Sequence, residues 1–145
     1  EVPEGEYVLP IGVADIKREG TDVTVVSFGK IIKEAYKAAD TLSEQGISVE
    51  VIDLRTVRPL DINTILESVK KTNRLVILEE AWPFGSVSTE ITFRVQDEAF
   101  DYLDAPIKRI NTADTPAPYS PVLLAEWLPN ADDVVQAVKD VLYIK

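Results

Sequence analysis

The chain has 145 residues, 46% of them hydrophobic, which is the size of a single domain. Fifteen Lys and Arg against 25 Asp and Glu give a net charge of −10, which argues against binding nucleic acid or anionic membrane and favours partners that present Lys or Arg. With no Cys and no His, disulfides, the usual zinc sites, Ser-His-Asp triads and Cys-His pairs are excluded, so any chemistry of the chain's own falls to carboxylates, Lys or Tyr.

Glu1 to Pro10 reads as a linker, with two prolines, one glycine and three glutamates and no periodicity. The opening Glu1-Val2-Pro3-Glu4-Gly5, without Met, leads us to expect a piece of a longer polypeptide. No run approaches the ~20 apolar residues of a membrane span, and no charged-then-apolar leader opens the chain. Val13–Arg18 is a candidate short strand whose Lys17 and Arg18 suit a sheet edge. Val23–Phe28 is a β-branched run typical of a buried strand. Ile32, Ala35, Ala39 and Leu42 then fall at helical spacing, ending at Gly46 as a C-terminal cap. Ser48–Leu54 is the next strand. Asp61 is a good N-cap for a helix carrying Ile62, Ile65, Leu66 and Val69, with Lys70 and Lys71 in its last turn. Leu75–Leu78 is a third apolar run, followed by the loop Ala81–Gly85 and a helix with Val87, Ile91, Val95 and Ala99. Ile107–Ile110 is a weaker fourth strand, and Pro116–Pro121 a stiff loop. The last helix starts near Asn130, with Asp132 and Asp133 in its first turn and Val134, Val135, Val138, Val141 and Leu142 as its stripe. Strands alternating with helices, and strands that are continuously apolar, predict a mostly parallel sheet in a three-layer α/β/α domain.

The common phosphate-binding and nucleophile motifs are absent. Ser27-Phe28-Gly29-Lys30 is a strand-to-helix turn that reads as a plain connection or as an anion cradle. Glu79-Glu80 follows the third apolar run, at the sheet end where open α/β folds bind ligands. One of its carboxylates is expected to point inward and to need a partner, for which Arg55 or Arg58 is a candidate. Asp132-Asp133 reads as helix-start charge. Asp53 to Asp61 packs two acids and two arginines into a junction whose physical task is rigidity. Trp82, Pro83 and Phe84 lie in a loop, where large aromatics either fold back on the core or are covered by another chain.

Four segments in register carry a resemblance: Asp53-Leu54-Arg55-Thr56-Val57-Arg58-Pro59-Leu60-Asp61, Glu79-Glu80-Ala81-Trp82-Pro83-Phe84-Gly85, Tyr102-Leu103-Asp104-Ala105-Pro106 and Ala113-Asp114-Thr115-Pro116-Ala117-Pro118-Tyr119-Ser120. Together they resemble the C-terminal domain of the beta subunit of the pyruvate dehydrogenase decarboxylase component. The resemblance implies a transketolase C-terminal-like fold with a five-stranded mixed sheet, its first strand antiparallel to the rest. It divides the chain into a linker, 1–10, from a missing pyrimidine-binding domain, and a domain, 11–145. It also implies a parent enzyme that uses thiamine diphosphate and magnesium, both held outside this domain, to decarboxylate a 2-oxo acid and acylate a lipoyl group. The implied partners are the alpha subunit, a second beta subunit and the basic peripheral subunit-binding domain of the acetyltransferase. Asp104 and the chain end near Ile144 correspond to the carboxylates that meet that basic domain, and the Trp82-Pro83-Phe84 loop would face another subunit. The implied location is the cytoplasm of a bacterium, or the mitochondrial matrix or plastid of a eukaryote. Two other readings stand beside this one: the same domain of a branched-chain 2-oxo acid dehydrogenase or another thiamine enzyme, and a free-standing module with an anion site at Gly29 or at Gly85-Ser86.

Overall fold

The structure, a computed structural model, describes residues 4–144, so residues 1–3 of the expected linker and Lys145 lie outside it. Five strands form one sheet: β1 (Asp15–Arg18), β2 (Val23–Ser27), β3 (Val49–Asp53), β4 (Leu75–Leu78) and β5 (Lys108–Ile110). Their spatial order is β1-β3-β2-β4-β5. β1 is antiparallel to β3, and every other pairing is parallel. The five-stranded mixed sheet and its antiparallel first strand are those the resemblance implies. β1 is an edge strand, as its charges suggest, with Lys17 bound to Asp15 at 2.5 Å and Arg18 to Asp40 at 2.6 Å.

Helices α1 (Ile32–Glu44) and α5 (Ala131–Val141) cover one face of the sheet. α2 (Ile62–Thr72) and α3 (Val87–Ala99) cover the other. Successive residues of β4 serve opposite faces: Val76 and Leu78 join Ala35, Leu42, Val134 and Val138, whereas Leu75 and Ile77 join Ile65, Val69, Ile91 and Val95. This period-two division of a continuously apolar run is why the run reads as buried on both sides. Each such side chain contributes roughly 1.5–3 kcal/mol on burial, against ~0–1 for an exposed ion pair, so the two apolar layers carry the stability.

Helix ends follow local sequence. Gly46, at φ +78°, donates to Ser43 O and Ile47 donates to Leu42 O, each at 3.0 Å, closing α1 in a left-handed turn that glycine adopts without strain. Asp61 caps α2, its Oδ1 accepting from Thr64 N at 3.2 Å. Asn130 and Asp133 form a reciprocal capping box at the start of α5. One helix departs from the sequence reading. α4 (Pro121–Trp127) follows directly on the proline-rich loop and buries none of its residues, so it has no apolar stripe to reveal it. Its only sequence signal is Pro121 at the first helical turn, where a missing N–H costs nothing.

The Asp53–Asp61 junction is rigid, as its residues imply. Thr56 Oγ1 donates to Pro59 O at 2.9 Å and accepts from Gly12 N at 3.1 Å, and Asp61 Oδ2 accepts from Ala14 N at 2.9 Å. Burial alone would raise the Asp61 carboxyl, but the Ala14 N–H and the Thr64 hydroxyl and N–H hold it below its ordinary value. Gly12 is tied down as well: a Cβ there would lie 2.7 Å from Pro59 Cγ.

Candidate functional site

The strand order reverses between β2 and β4, and the carboxyl ends of those strands flank the switch point. Glu79, immediately after β4, is fully buried there. Its Oε1 accepts from Ser88 N at 3.1 Å and from Asn111 Nδ2 at 2.8 Å. The expectation of an inward carboxylate holds for Glu79, while Glu80 is exposed. The expected arginine partner does not hold. Arg55 pairs with Asp15 on the edge strand, and Arg58 is exposed without an ion-pair or hydrogen-bond partner among the described residues. The reason is positional: the N-terminal turn of α3 lies over Glu79 and meets its Oε1 with the Ser88 N–H, while Oε2 has no partner among the described residues. Glu79 thereby takes up, from within the chain, a first-turn N–H that an anion near Gly85-Ser86 would use. At the other proposed anion position, Gly29 at φ +68° opens a three-residue 3-10 turn, Gly29–Ile31, and Phe28 packs into the α2–α3 layer.

Trp82, Pro83 and Phe84 stand on the same end of the sheet. Trp82 Nε1 and Trp127 Nε1 both donate to Thr115 O, at 2.9 and 3.0 Å, and Arg109 Nη1 donates to Pro83 O at 3.0 Å. The loop is therefore anchored, yet Phe84 is 92% exposed and does not fold back on the core. Tyr119, Val122 and Leu123, at and just after the adjoining proline-rich loop, are exposed too. These residues form an apolar rim at the carboxyl end of the sheet.

Asp104 is joined to the chain end near Ile144 at a different place, through Tyr143. Arg74 Nη2 lies 3.4 Å from Asp104 Oδ2, Asp104 N donates to Asn73 O at 2.9 Å, and Tyr143 Oη donates to Asp104 O at 3.5 Å. Arg74 Nε also donates to Val141 O at 3.1 Å, which ties the end of α5 to the same spot. Ile144 is half-exposed beside a cleft of about 470 Å³ lined by Pro106, Lys108, Asp140, Val141, Tyr143 and Ile144. The sequence reading did not include Arg74 or Tyr143; no local pattern marks either, because their meeting with Asp104 is purely tertiary.

A buried polar group also escaped the sequence reading. Glu50, inside β3 and fully buried, binds Lys71 of α2, accepts from Ser68 Oγ at 2.5 Å, and accepts from Gly20 N at 3.3 Å. Ser68 and Thr72 each lie 2.6 Å from Thr24 Oγ1. Burial pushes the Glu50 carboxyl up, but Lys71, Ser68 and the Gly20 N–H outweigh it and hold it below the ordinary value of 4.5. The hydrogen bond to Glu50, followed by that to Glu19, raises Lys71 above 10.5. A carboxylate between Val49 and Val51 was itself the signal, since a charge inside a buried strand demands a partner.

Helices on both faces of a five-stranded sheet with one antiparallel edge strand define a three-layer α/β/α domain. Residues 12–134 match the family described as the transketolase C-terminal domain. The chain belongs to that family. It is 56% identical, over 99% of its length, to the pyruvate dehydrogenase E1 component subunit beta of Rhizobium meliloti, covering 31% of that protein. It is 51% identical over 98% of its length to the acetoin:2,6-dichlorophenolindophenol oxidoreductase subunit beta of Bacillus subtilis, covering 42% of that protein. A mitochondrial pyruvate dehydrogenase E1 subunit beta-2 of Oryza sativa is 50% identical over 99% of the chain, which covers 38% of it. The chain thus spans less than half the length of these relatives. Among solved structures, a split-gene transketolase described as an inactive beta4 tetramer superposes with a TM-score of 0.83 at 28% identity, over all of this chain and 46% of that one.

No group of three or more Asp, Glu, His or Cys that could hold a metal occurs among the described residues. No helix among them is long and apolar enough to cross a membrane.

Proposed function

We propose that this chain is the C-terminal assembly and docking domain of the beta subunit of a pyruvate dehydrogenase (acetyl-transferring) component, with residues 1–10 joining it to a preceding pyrimidine-binding domain. The observation that carries the reading is the 56% identity to such a beta subunit over 99% of the chain. The parent enzyme would use thiamine diphosphate and magnesium, held by its other parts, to decarboxylate pyruvate and acetylate a lipoyl group. This domain would contribute surfaces. The Trp82-Pro83-Phe84 rim suits a second subunit of the decarboxylase, alpha or beta, because apolar side chains held out on an anchored loop gain by being covered. Asp104, joined through Tyr143 to the chain end near Ile144, suits the basic docking domain of the acetyltransferase, and the net charge of −10 would speed that encounter. The same domain in an acetoin-oxidising enzyme is the second reading, favoured by the 51% identity to the Bacillus subtilis subunit. Assay of the assembled component with pyruvate and with acetoin separates the two.

Replacing Asp104 by lysine in the assembled component is expected to weaken binding of the acetyltransferase's docking domain at least tenfold at low salt, with the difference shrinking as salt rises. Isothermal titration measures it. Because the Asp104 side chain is 58% exposed, the fold should be unaffected, which circular dichroism checks. Unchanged affinity removes Asp104 from the docking surface.

A further inference from the structure

The Asp53–Asp61 junction and the start of α3 enclose a cleft of about 750 Å³ that neither the rim nor the Asp104 face includes. Its walls are Val57, Leu60 and Val87, with the aliphatic ring of Pro59 beside them. Its charged groups are Arg58, Arg94 and Glu90. Glu90 Oε1 binds Arg94 through Nε at 2.7 Å, and the terminal Nη atoms of Arg94 have no hydrogen-bond partner among the described residues. Arg58 has no partner among them either. Two guanidiniums against one carboxylate give this cleft a positive balance within a chain of net charge −10.

Three features make the cleft more than a chance depression. Its size falls within the ~300–1,000 Å³ of small-molecule sites, and its lining sets four apolar side chains beside three charged ones, so an apolar body and a charged head can both be met. The junction that presents Arg58 is fastened by the Thr56, Gly12, Ala14 and Asp61 hydrogen bonds, so little conformational entropy is lost on binding. The unpaired groups are guanidiniums, whose planar fork matches a carboxylate with two parallel hydrogen bonds.

We propose that this cleft binds a small organic carboxylate with an apolar body, the carboxylate on Arg58 and the Nη atoms of Arg94, the body against Val57, Leu60 and Val87. The charge selects an anion over an amine, and the apolar wall selects a chain of several carbons over acetate.

Hexanoate, titrated into the isotopically labelled chain, is the probe. The amide resonances of Val57, Arg58, Leu60 and of Val87 to Arg94 are expected to shift together and saturate at low-millimolar concentration. Acetate should bind at least tenfold more weakly, and hexylamine should give no saturating shift. Arg58→Gln, at an exposed position that leaves the fold intact, should weaken hexanoate at least fivefold, and Arg94→Gln should act in the same direction. Absence of shifts at 20 mM hexanoate, equal shifts with hexylamine, or unchanged binding in Arg58→Gln overturns the proposal. An acidic peptide that binds the same resonances at least tenfold more tightly than hexanoate assigns the cleft to a protein partner and overturns it as well.

Discussion

Lys71→Met is expected to lower unfolding stability by roughly 2–4 kcal/mol, more than Glu50→Gln does. Breaking a buried ion pair by removing one partner costs roughly 3–5 kcal/mol when the other is left enclosed. The two ends of this pair differ. The Glu50 side chain is fully buried, whereas Lys71 is 41% exposed and also reaches Glu19 at 3.0 Å. Without Lys71 the Glu50 charge has no route to water; without the Glu50 charge, Lys71 turns to Glu19 and solvent. The open end of the pair is why the expected loss falls below the full enclosed value. Urea unfolding of both variants and of the double variant measures the difference and the coupling.

The pair also sets a pH signature. Glu50 titrates below 4.5 in the folded chain, so its stabilisation is complete above 4.5 and is lost as pH falls through the lowered value. Lys71 titrates above 10.5, so its stabilisation is complete below 10.5 and is lost as pH rises through the raised value. In Lys71→Met the lone buried carboxylate favours its protonated form, so stability should rise less steeply with pH through the acid range than in the parent chain, where Asp15, Asp61 and Asp140 contribute in the same sense as Glu50. An unchanged slope would show that Lys71 does not govern Glu50.

Gly20→Ala is the second large effect, with an expected loss of about 3 kcal/mol or more. A Cβ at Gly20 would stand 2.1 Å from Glu50 N and 2.2 Å from Val49 C, so backbone rather than a flexible side chain must move. That shift lands where β2 and β3 begin to pair, at Val23 and Val49, and it disturbs the Gly20 N–H that reaches Glu50. Overpacking typically costs ~1–3 kcal/mol, and a collision with a central strand belongs at or beyond the top of that range. Gly46→Ala is the control. Nothing lies within 4 Å of its missing Cβ, and only its positive φ opposes the change, at about 1 kcal/mol.

Sequence pattern disclosed those parts of the molecule that local chemistry decides. The β4 run, the Asp61 cap, the start of the last helix near Asn130 and the Gly46 turn each state their role within a few residues. Pattern failed where a role depends on what arrives from elsewhere in the chain. One inward carboxylate of the Glu79-Glu80 pair was legible, but not which of the two, and the partners of Glu79 are an N–H of α3 and Asn111, which adjacency cannot single out from the nearby arginines. Asp104 was reached through a motif, whereas Arg74 and Tyr143 meet it only because α2 and α5 end at the same place. α4 stayed hidden because a helix that buries nothing has no periodicity to read.

Both of the chain's tryptophans converge on the Thr115 carbonyl, outside the two apolar layers. Ultraviolet emission from this protein is consequently a local gauge. It registers loosening or covering of the loop clamp directly, so an optical melting curve that runs ahead of the far-ultraviolet dichroism curve marks the clamp opening before the sheet, and coincident curves mark one cooperative transition. Any chain that covers this loop can then be detected without attaching a dye.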